Sequence, residues 1–168
     1  MTGEQAVRLY ELLDTHGVRC WVMGGWGVDA LLGRVTRTHK DLDLLVQLAD
    51  LSSYADSMRS ARFVRKLEWS ENQPIEIDGV MYDSAFVDVH GDGREVDVHV
   101  VDFDDAGELV QLYNDPWPLP CGALTGRGTI AGSEVRCVSR TAQLAMHSNY
   151  DLPQKHREDV QILGAIPG

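Results

Sequence analysis

The alternation of valines and polar side chains in residues 95–101 constrains the fold of this chain more than any other stretch. Three valines occupy every second position there, and Glu95, Asp97 and His99 occupy the positions between them. Side chains two apart on a β-strand point to the same face of the sheet. The stretch is therefore predicted to be a strand with one face in the core and with a carboxylate and an imidazole on the other.

A second strand is predicted over residues 41–46, and it opens with two aspartates. Asp41 and Asp43 share one face of that strand, while the leucines beside them enter the core. Two carboxylates on one face repel each other unless a cation lies between them. Mg²⁺ suits the position because it prefers oxygen ligands and is usually shared with substrate phosphates. The alternative is an exposed strand end with ordinary surface acids.

A pair of glycines directly follows another short predicted strand. Gly24 and Gly25 precede Trp26, where a short helix is predicted to start. Paired glycines let the backbone approach a ligand closely, and the amides of a helix start can bind phosphate. A plain turn between strand and helix is the alternative.

The strand with Asp97 is predicted to form a hairpin with residues 80–90. Asp88 lies in that partner strand, and the turn chemistry lies in residues 91–93. A two-residue turn would place Asp88 beside Asp97, whereas a three-residue loop would place the two on opposite faces. The sequence leaves both registers open.

The predicted elements, in chain order, are α-β-α-β-α-β-β-β-α-α. This order indicates a mixed β-sheet with helices packed against it, an α/β or α+β fold. With 168 residues the chain is expected to form a single domain. Its catalytic core is expected at about 5–110, and a loop and helical segment at about 115–168.

The net charge of −11 argues against a nucleic acid as the main partner, because a protein that grips a phosphate backbone normally brings cations. Residues 68–115 contain fourteen carboxylates and one base, Arg94. That tract is either a solvated surface or one that attracts a cationic small molecule. The absence of a long apolar run argues against a membrane span, and the absence of a secretory signal indicates the cytoplasm.

Taken together, the glycine pair, the two aspartates and the later Asp97 resemble the nucleotidyltransferase superfold of DNA polymerase β. The chain is more closely similar to the small antibiotic nucleotidyltransferases. Residues 32–39 resemble the linker of the aminoglycoside 2''-adenylyltransferases, and residues 137–152 resemble the tail of the lincosamide O-nucleotidyltransferases. The likeness extends over about residues 5–164 and is weakest at 67–87, where substrate choice is expected to lie.

The resemblance implies a role for each matching residue. The expected cofactor is Mg²⁺, as two ions with the bound nucleotide. The expected metal ligands, which are also the expected catalytic residues, are Asp41, Asp43 and Asp97. The expected nucleotide-binding residues are Gly24, Gly25, Trp26, Arg37, His39 and Lys155. The candidate substrate-binding residues are Asp29, Trp69, Tyr82 and Asp88.

Several of these roles have alternatives. Asp97 could be a metal ligand, the catalytic base or both. Asp29 could instead cap the turn or orient Arg37. Trp69 and Tyr82 could be a sugar-stacking wall or ordinary strand aromatics. Arg37 and His39 are expected to form a cationic patch with their neighbour Lys40.

The activity implied by the resemblance is transfer of a nucleoside monophosphate from a nucleoside triphosphate to a hydroxyl group, with release of pyrophosphate. The acidic tract favours an aminoglycoside acceptor and the tail favours a lincosamide, so both acceptors are kept. The expected partners are the triphosphate, a small cationic acceptor and, as a homodimer, a second copy. The alternatives are a toxin-like enzyme that modifies tRNA or protein, and a non-catalytic nucleotide-binding relative.

Overall fold

The structure is a computed structural model, and it describes residues 1–146 and 154–164, with the side chains of the second range described from residue 157. The helices of the described residues are α1 (Gly3–Thr15), α2 (Gly24–Leu32), α3 (Leu51–Ser60), α4 (Arg140–Met146) and α5 (Gln154–Gly164). The strands are β1 (Cys20–Met23), β2 (Asp41–Gln47), β3 (Phe63–Glu68), β4 (Ile75–Ile77), β5 (Val80–Tyr82), β6 (Ala85–His90), β7 (Glu95–Phe103), β8 (Leu109–Gln111), β9 (Gly126–Ile130) and β10 (Ser133–Cys137).

Eight of these strands form one mixed sheet. Its strand order is β3-β6-β7-β2-β1-β10-β9, and β8 pairs with β7. The β2/β7 and β1/β10 pairs are parallel, and the others are antiparallel. The mixed sheet with its flanking helices confirms the predicted fold class.

The alternating pattern of β2 and β7 divides the core between the two faces of the sheet. The leucines and valines of one face are buried with side chains of α1 and α3. The other face is covered at one end by α4 and by residues 109–124. Asp41, Asp43 and Asp97 lie on this second face, near the amino ends of their strands. The three aspartates therefore lie at the end of these central strands that the start of α2 also approaches.

The predicted strand over residues 80–90 is divided in the structure. Its first part, β5, pairs with β4 in a separate two-stranded sheet, and only β6 joins the main sheet. The turn between β4 and β5 contains Asp78 and Gly79, both with positive φ, which is a typical hairpin turn. Asn72 Oδ1 accepts hydrogen bonds from the backbone amides of Ser84 and Ala85 and so occupies the break between the two strands.

Among the described residues, no helix combines the length and the apolar character that crossing a membrane requires.

Candidate active site

The glycine turn lies where β1 ends and α2 begins, without an intervening residue. Gly24 has a φ of +58°, in the region that favours glycine. A Cβ at this position would collide with the carboxylate of Asp43. The first backbone amides of this nine-residue helix lack partners within the helix. Because residue 24 is a glycine, these amides can lie directly beside an aspartate.

The three aspartates meet at one edge of the sheet because β2 and β7 are parallel neighbours. Asp43 is the register partner of Asp97, and Asp41 is the register partner of Glu95. Among the described residues, no three Asp, Glu, His or Cys side chains converge into a preformed metal cluster. Adjacent carboxylates still fit Mg²⁺, which commonly takes one or two carboxylates and completes its coordination with substrate phosphates and water.

Asp97 is the most perturbed of these carboxyl groups. Its side chain is 15% exposed, and the indole Nε1 of Trp69 donates a hydrogen bond of 3.0 Å to its Oδ1. Burial raises the pKa of Asp97 to about 7; the bond from Trp69 opposes this rise, and the charges of Asp41 and other nearby carboxylates add to it. A bound cation would lower this pKa again.

Glu95 lies beside Asp41 but is neutralised by two lysines. Lys66 Nζ lies 2.5 Å from its Oε1, and Lys40 Nζ lies 2.8 Å from its Oε2. These hydrogen bonds hold the pKa of Glu95 below its ordinary value. Lys40 is thus engaged away from the predicted cationic patch, and Glu95 is a structural carboxylate.

An aromatic wall continues the site beyond Asp97. The ring of His99 lies 4.7 Å from that of Tyr113 and 4.6 Å from that of Trp117, measured between centroids. Its Nδ1 is 3.5 Å from Asp97 Oδ1, and its Nε2 is 3.5 Å from Glu71 Oε1. Burial lowers the pKa of His99 to about 4, so the ring is neutral at neutral pH. The half-buried Glu71 therefore brings a negative charge to this wall.

The two aromatics predicted to stack on a sugar lie in different places. Trp69, just after β3, is 37% exposed and touches Asp97 through its indole. Tyr82 pairs with Ile75 in the small sheet and packs against the larger core cluster, on the face opposite the aspartates. This placement favours the alternative that Tyr82 is an ordinary strand aromatic.

Asp88 also lies away from the aspartates. The hairpin between β6 and β7 has a three-residue loop, and its register places Asp88 on the face opposite Asp97. The buried carboxylate of Asp88 accepts hydrogen bonds from Tyr54 Oη at 3.0 Å and from Arg65 Nε at 2.7 Å. The prediction that Asp88 binds substrate is therefore wrong.

His39 lies at the centre of a buried network beside the glycine turn. Its ring packs on the indole of Trp26, with 4.4 Å between centroids. Its Nε2 lies 2.6 Å from Asp29 Oδ2, and its Nδ1 lies 3.0 Å from Arg37 Nη1. A guanidinium group can only donate, so Nδ1 is the acceptor and Nε2 carries the hydrogen that Asp29 accepts.

This network corrects two of the predicted roles. Asp29 is 2% exposed, and its other oxygen accepts hydrogen bonds from the backbone and hydroxyl of Thr36, so it orders His39 and the loop rather than binding substrate. The indole of Trp26 is buried, so Trp26 can reach a phosphate only through its backbone amide. Arg37 and His39 lie over Gly25, where a Cβ would be 2.7 Å from Arg37 Nη2.

Arg37 also contacts α5 through a residue that the sequence analysis missed. Its Nε and Nη2 donate to Asp159 Oδ1 and Oδ2 at 3.3 and 2.9 Å. The sequence signal that could have found Asp159 is its position four residues before Leu163, on the buried face of the helix. A carboxylate on a buried face requires a cationic partner. Lys155 belongs to the same helix, but its side chain lies outside the described residues.

Comparison with known proteins agrees with this geometry. The family model described as aminoglycoside-2''-adenylyltransferase matches residues 5–163. The chain belongs to this family. A lincosamide resistance protein of Staphylococcus haemolyticus is 25% identical to this family member over 174 residues, 99% of this chain and 96% of the relative. A 2''-aminoglycoside nucleotidyltransferase of Klebsiella pneumoniae is 43% identical over 47 residues, 26% of this chain and 27% of the relative.

Solved structures share the fold of this aminoglycoside-2''-adenylyltransferase family member. The lincomycin-bound lincosamide adenylyltransferase LnuA has a TM-score of 0.75 at 22% identity, covering 99% of both chains. ANT(2'')-Ia in complex with adenylyl-2''-tobramycin has a TM-score of 0.71 at 24% identity, covering 96% of this chain and 86% of that one. The resemblance predicted from the sequence is thus confirmed, and the chain is a nucleotidyltransferase.

Proposed function

We propose that this chain is an Mg²⁺-dependent enzyme that transfers a nucleoside monophosphate from a nucleoside triphosphate to a hydroxyl group of a small cationic antibiotic. The acceptor would be of lincosamide or aminoglycoside type. Family membership supports the reaction class, and the names of the relatives support both kinds of acceptor. The expected homodimer stays a prediction.

One observation carries the proposal: Asp43 is in register with Asp97 and in contact with the glycine turn at Gly24. A group of donors for phosphate oxygens and a pair of metal-binding carboxylates therefore lie side by side. A nucleotide whose phosphates lie on the turn would share its Mg²⁺ with Asp41, Asp43 and Asp97. Bound there, Mg²⁺ would offset the negative charge that develops on the attacking and leaving oxygens.

In the proposed reaction, the acceptor oxygen forms a bond to the α-phosphorus while the bond from that phosphorus to the bridging oxygen breaks. The bridging oxygen leaves with pyrophosphate. Asp97 takes the proton of the acceptor hydroxyl, and Trp69 holds Asp97 Oδ1 so that the carboxylate keeps one orientation. The amides of the glycine turn hold the triphosphate, so that the two reactants are aligned.

The acceptor would lie against Trp69 and Trp117, the two indoles at the aromatic wall that are not buried. Indole rings provide flat apolar surfaces for sugar rings and favour nearby cations. The carboxylate of Glu71 lies at this wall, 3.5 Å from His99. An acceptor with an ammonium group would thus meet a negative charge beyond the reacting hydroxyl.

The direct test is the release of pyrophosphate from ATP or GTP in the presence of Mg²⁺. Release should depend on lincomycin, tobramycin or kanamycin, and the antibiotic should gain the mass of a nucleoside monophosphate. Asp43→Asn provides the inactive control. Release that requires tRNA and none of the antibiotics would overturn the proposed acceptor class in favour of a toxin-like enzyme.

The role of Asp97 has a separate test. If it is the base, Asp97→Asn should lose turnover and retain its affinity for a non-hydrolysable nucleotide with Mg²⁺. If it acts mainly as a metal ligand, the same substitution should weaken nucleotide binding as well. Calorimetric titration of the folded variant separates the two outcomes.

A further inference from the structure

The guanidinium group of Arg37 has a defined set of partners in the structure. It has five N–H groups. Two bond to Asp159, and one on Nη1 bonds to the acceptor nitrogen of His39. Within the described part of the chain, these bonds leave one N–H on each terminal nitrogen for another ligand.

The position of this group suggests what that ligand is. Arg37 Nη2 lies over Gly25, and the negative charge of Asp43 acts on the guanidinium. The side chain of Arg37 is 24% exposed, so it can be reached from solvent. A planar, permanently charged group beside the amides of a helix start is well suited to bind phosphate oxygens.

Asp159 holds the opposite side of the guanidinium and is almost inaccessible, with a side-chain exposure of 3%. Its two oxygens engage Nε and Nη2, and a fork of this kind fixes the plane of the guanidinium as well as its position. Asp159 bonds to Arg37, and through Arg37 it can act on a nucleotide at the glycine turn.

We propose that Asp159 is a positioning residue for nucleotide binding. From helix α5 it holds Arg37 over the glycine turn, so that the two remaining N–H groups of the Arg37 guanidinium can bind the triphosphate. This inference rests on the proposed function, because it assumes a nucleotide at that turn.

The test compares Asp159→Asn with a control residue that contacts the same helix from α4. Arg140 anchors the end of α5 by donating to the backbone oxygens of Leu163 and Gly164, away from the glycine turn. Arg140→Gln therefore loosens α5 without touching Arg37. The measurements are the affinity for a non-hydrolysable ATP analogue with Mg²⁺, the KM values for ATP and for the antibiotic, and the melting temperature.

We expect Asp159→Asn to bind the ATP analogue about tenfold more weakly, since it loses a charged hydrogen bond that orients Arg37. The KM for the antibiotic should not change. Asp159→Glu keeps the charge and should recover part of the affinity. Arg140→Gln should lower the melting temperature and leave nucleotide affinity within about twofold of wild type.

The inference is overturned if the folded Asp159→Asn variant, or Asp159→Ser where the asparagine variant does not fold, binds the analogue as well as the wild type. It is equally overturned if Arg140→Gln weakens nucleotide binding to the same extent, since Asp159 would then act only by holding the helix. A wild-type protein that binds no nucleotide would overturn the proposed function and this inference together, whereas binding that is insensitive to Asp159 would overturn the inference alone.

Discussion

Replacing Asp97 with asparagine should stabilise the metal-free protein at neutral and alkaline pH. The pKa of Asp97 is raised from 3.8 to about 7, mainly by burial. Between these values the folded protein keeps a proton at Asp97 that the unfolded chain has released, so the contribution of this group to stability falls as the pH rises from about 4 to about 7. Asparagine has no proton to lose and does not show this fall.

The size of the effect follows from the same two values. They differ by about 3 pH units, and at 1.36 kcal/mol per unit the free energy of unfolding should change by up to about 4 kcal/mol across the window. Asparagine retains an oxygen that can accept the hydrogen bond from Trp69. The advantage of Asp97→Asn over the wild type should therefore grow from pH 4 to pH 8 and approach this value.

The assay is urea unfolding of wild type and variant at several pH values, in the presence of a chelator. Asp102→Asn, on the same strand, removes one carboxylate away from Asp97 and is the matched control. Adding Mg²⁺ with nucleotide should reduce the advantage of Asp97→Asn, because a bound cation stabilises the carboxylate. Parallel stability curves for wild type and Asp97→Asn would refute the reasoning, since they would mean that Asp97 ionises in the folded protein as easily as in the unfolded chain.

Four further predictions concern the substrates. Asp43→Asn should reduce turnover by at least about 100-fold while the fold remains intact, as steady-state kinetics and thermal melting can show. Gly25→Val should weaken binding of a non-hydrolysable nucleotide more than binding of the acceptor, because its Cβ would displace His39; calorimetry measures both. Glu71→Gln should raise the KM for a cationic antibiotic, whereas Glu68→Gln on the exposed end of β3 should not. Acceptor affinity should also fall with added salt, because screening shortens to about 8 Å at physiological ionic strength; equal affinity in low and high salt would contradict this.

The strands that carry the aspartates, and the face that each aspartate shares with its neighbours, could be predicted from the sequence, because strict alternation leaves little freedom. Asp41 and Asp43 had to share a face, and valines on both sides of Asp97 required a strand with one buried face. The glycine pair after β1 marked the start of α2. The length of the loop between β6 and β7 could not be predicted. A difference of one residue in that loop shifts the register of the hairpin, and this register decides on which face Asp88 lies.

Long-range partners were the other part that the sequence could not reveal. The contact from Arg37 to Asp159 spans 122 positions, and nothing local to either residue specifies it. The hydrogen bond from Trp69 to Asp97 spans 28 positions and depends on how β3 ends beside β6. Local pattern predicts which face a side chain occupies, whereas the partner on that face depends on the packing of distant segments.

The small β4–β5 sheet has a consequence for how enzymes of this kind can diverge. It is hydrogen-bonded as a ladder of its own, whereas the aspartates depend on the register between β2 and β7 in the main sheet. Changes in the length or side chains of the small hairpin therefore need not disturb the alignment of the carboxylates.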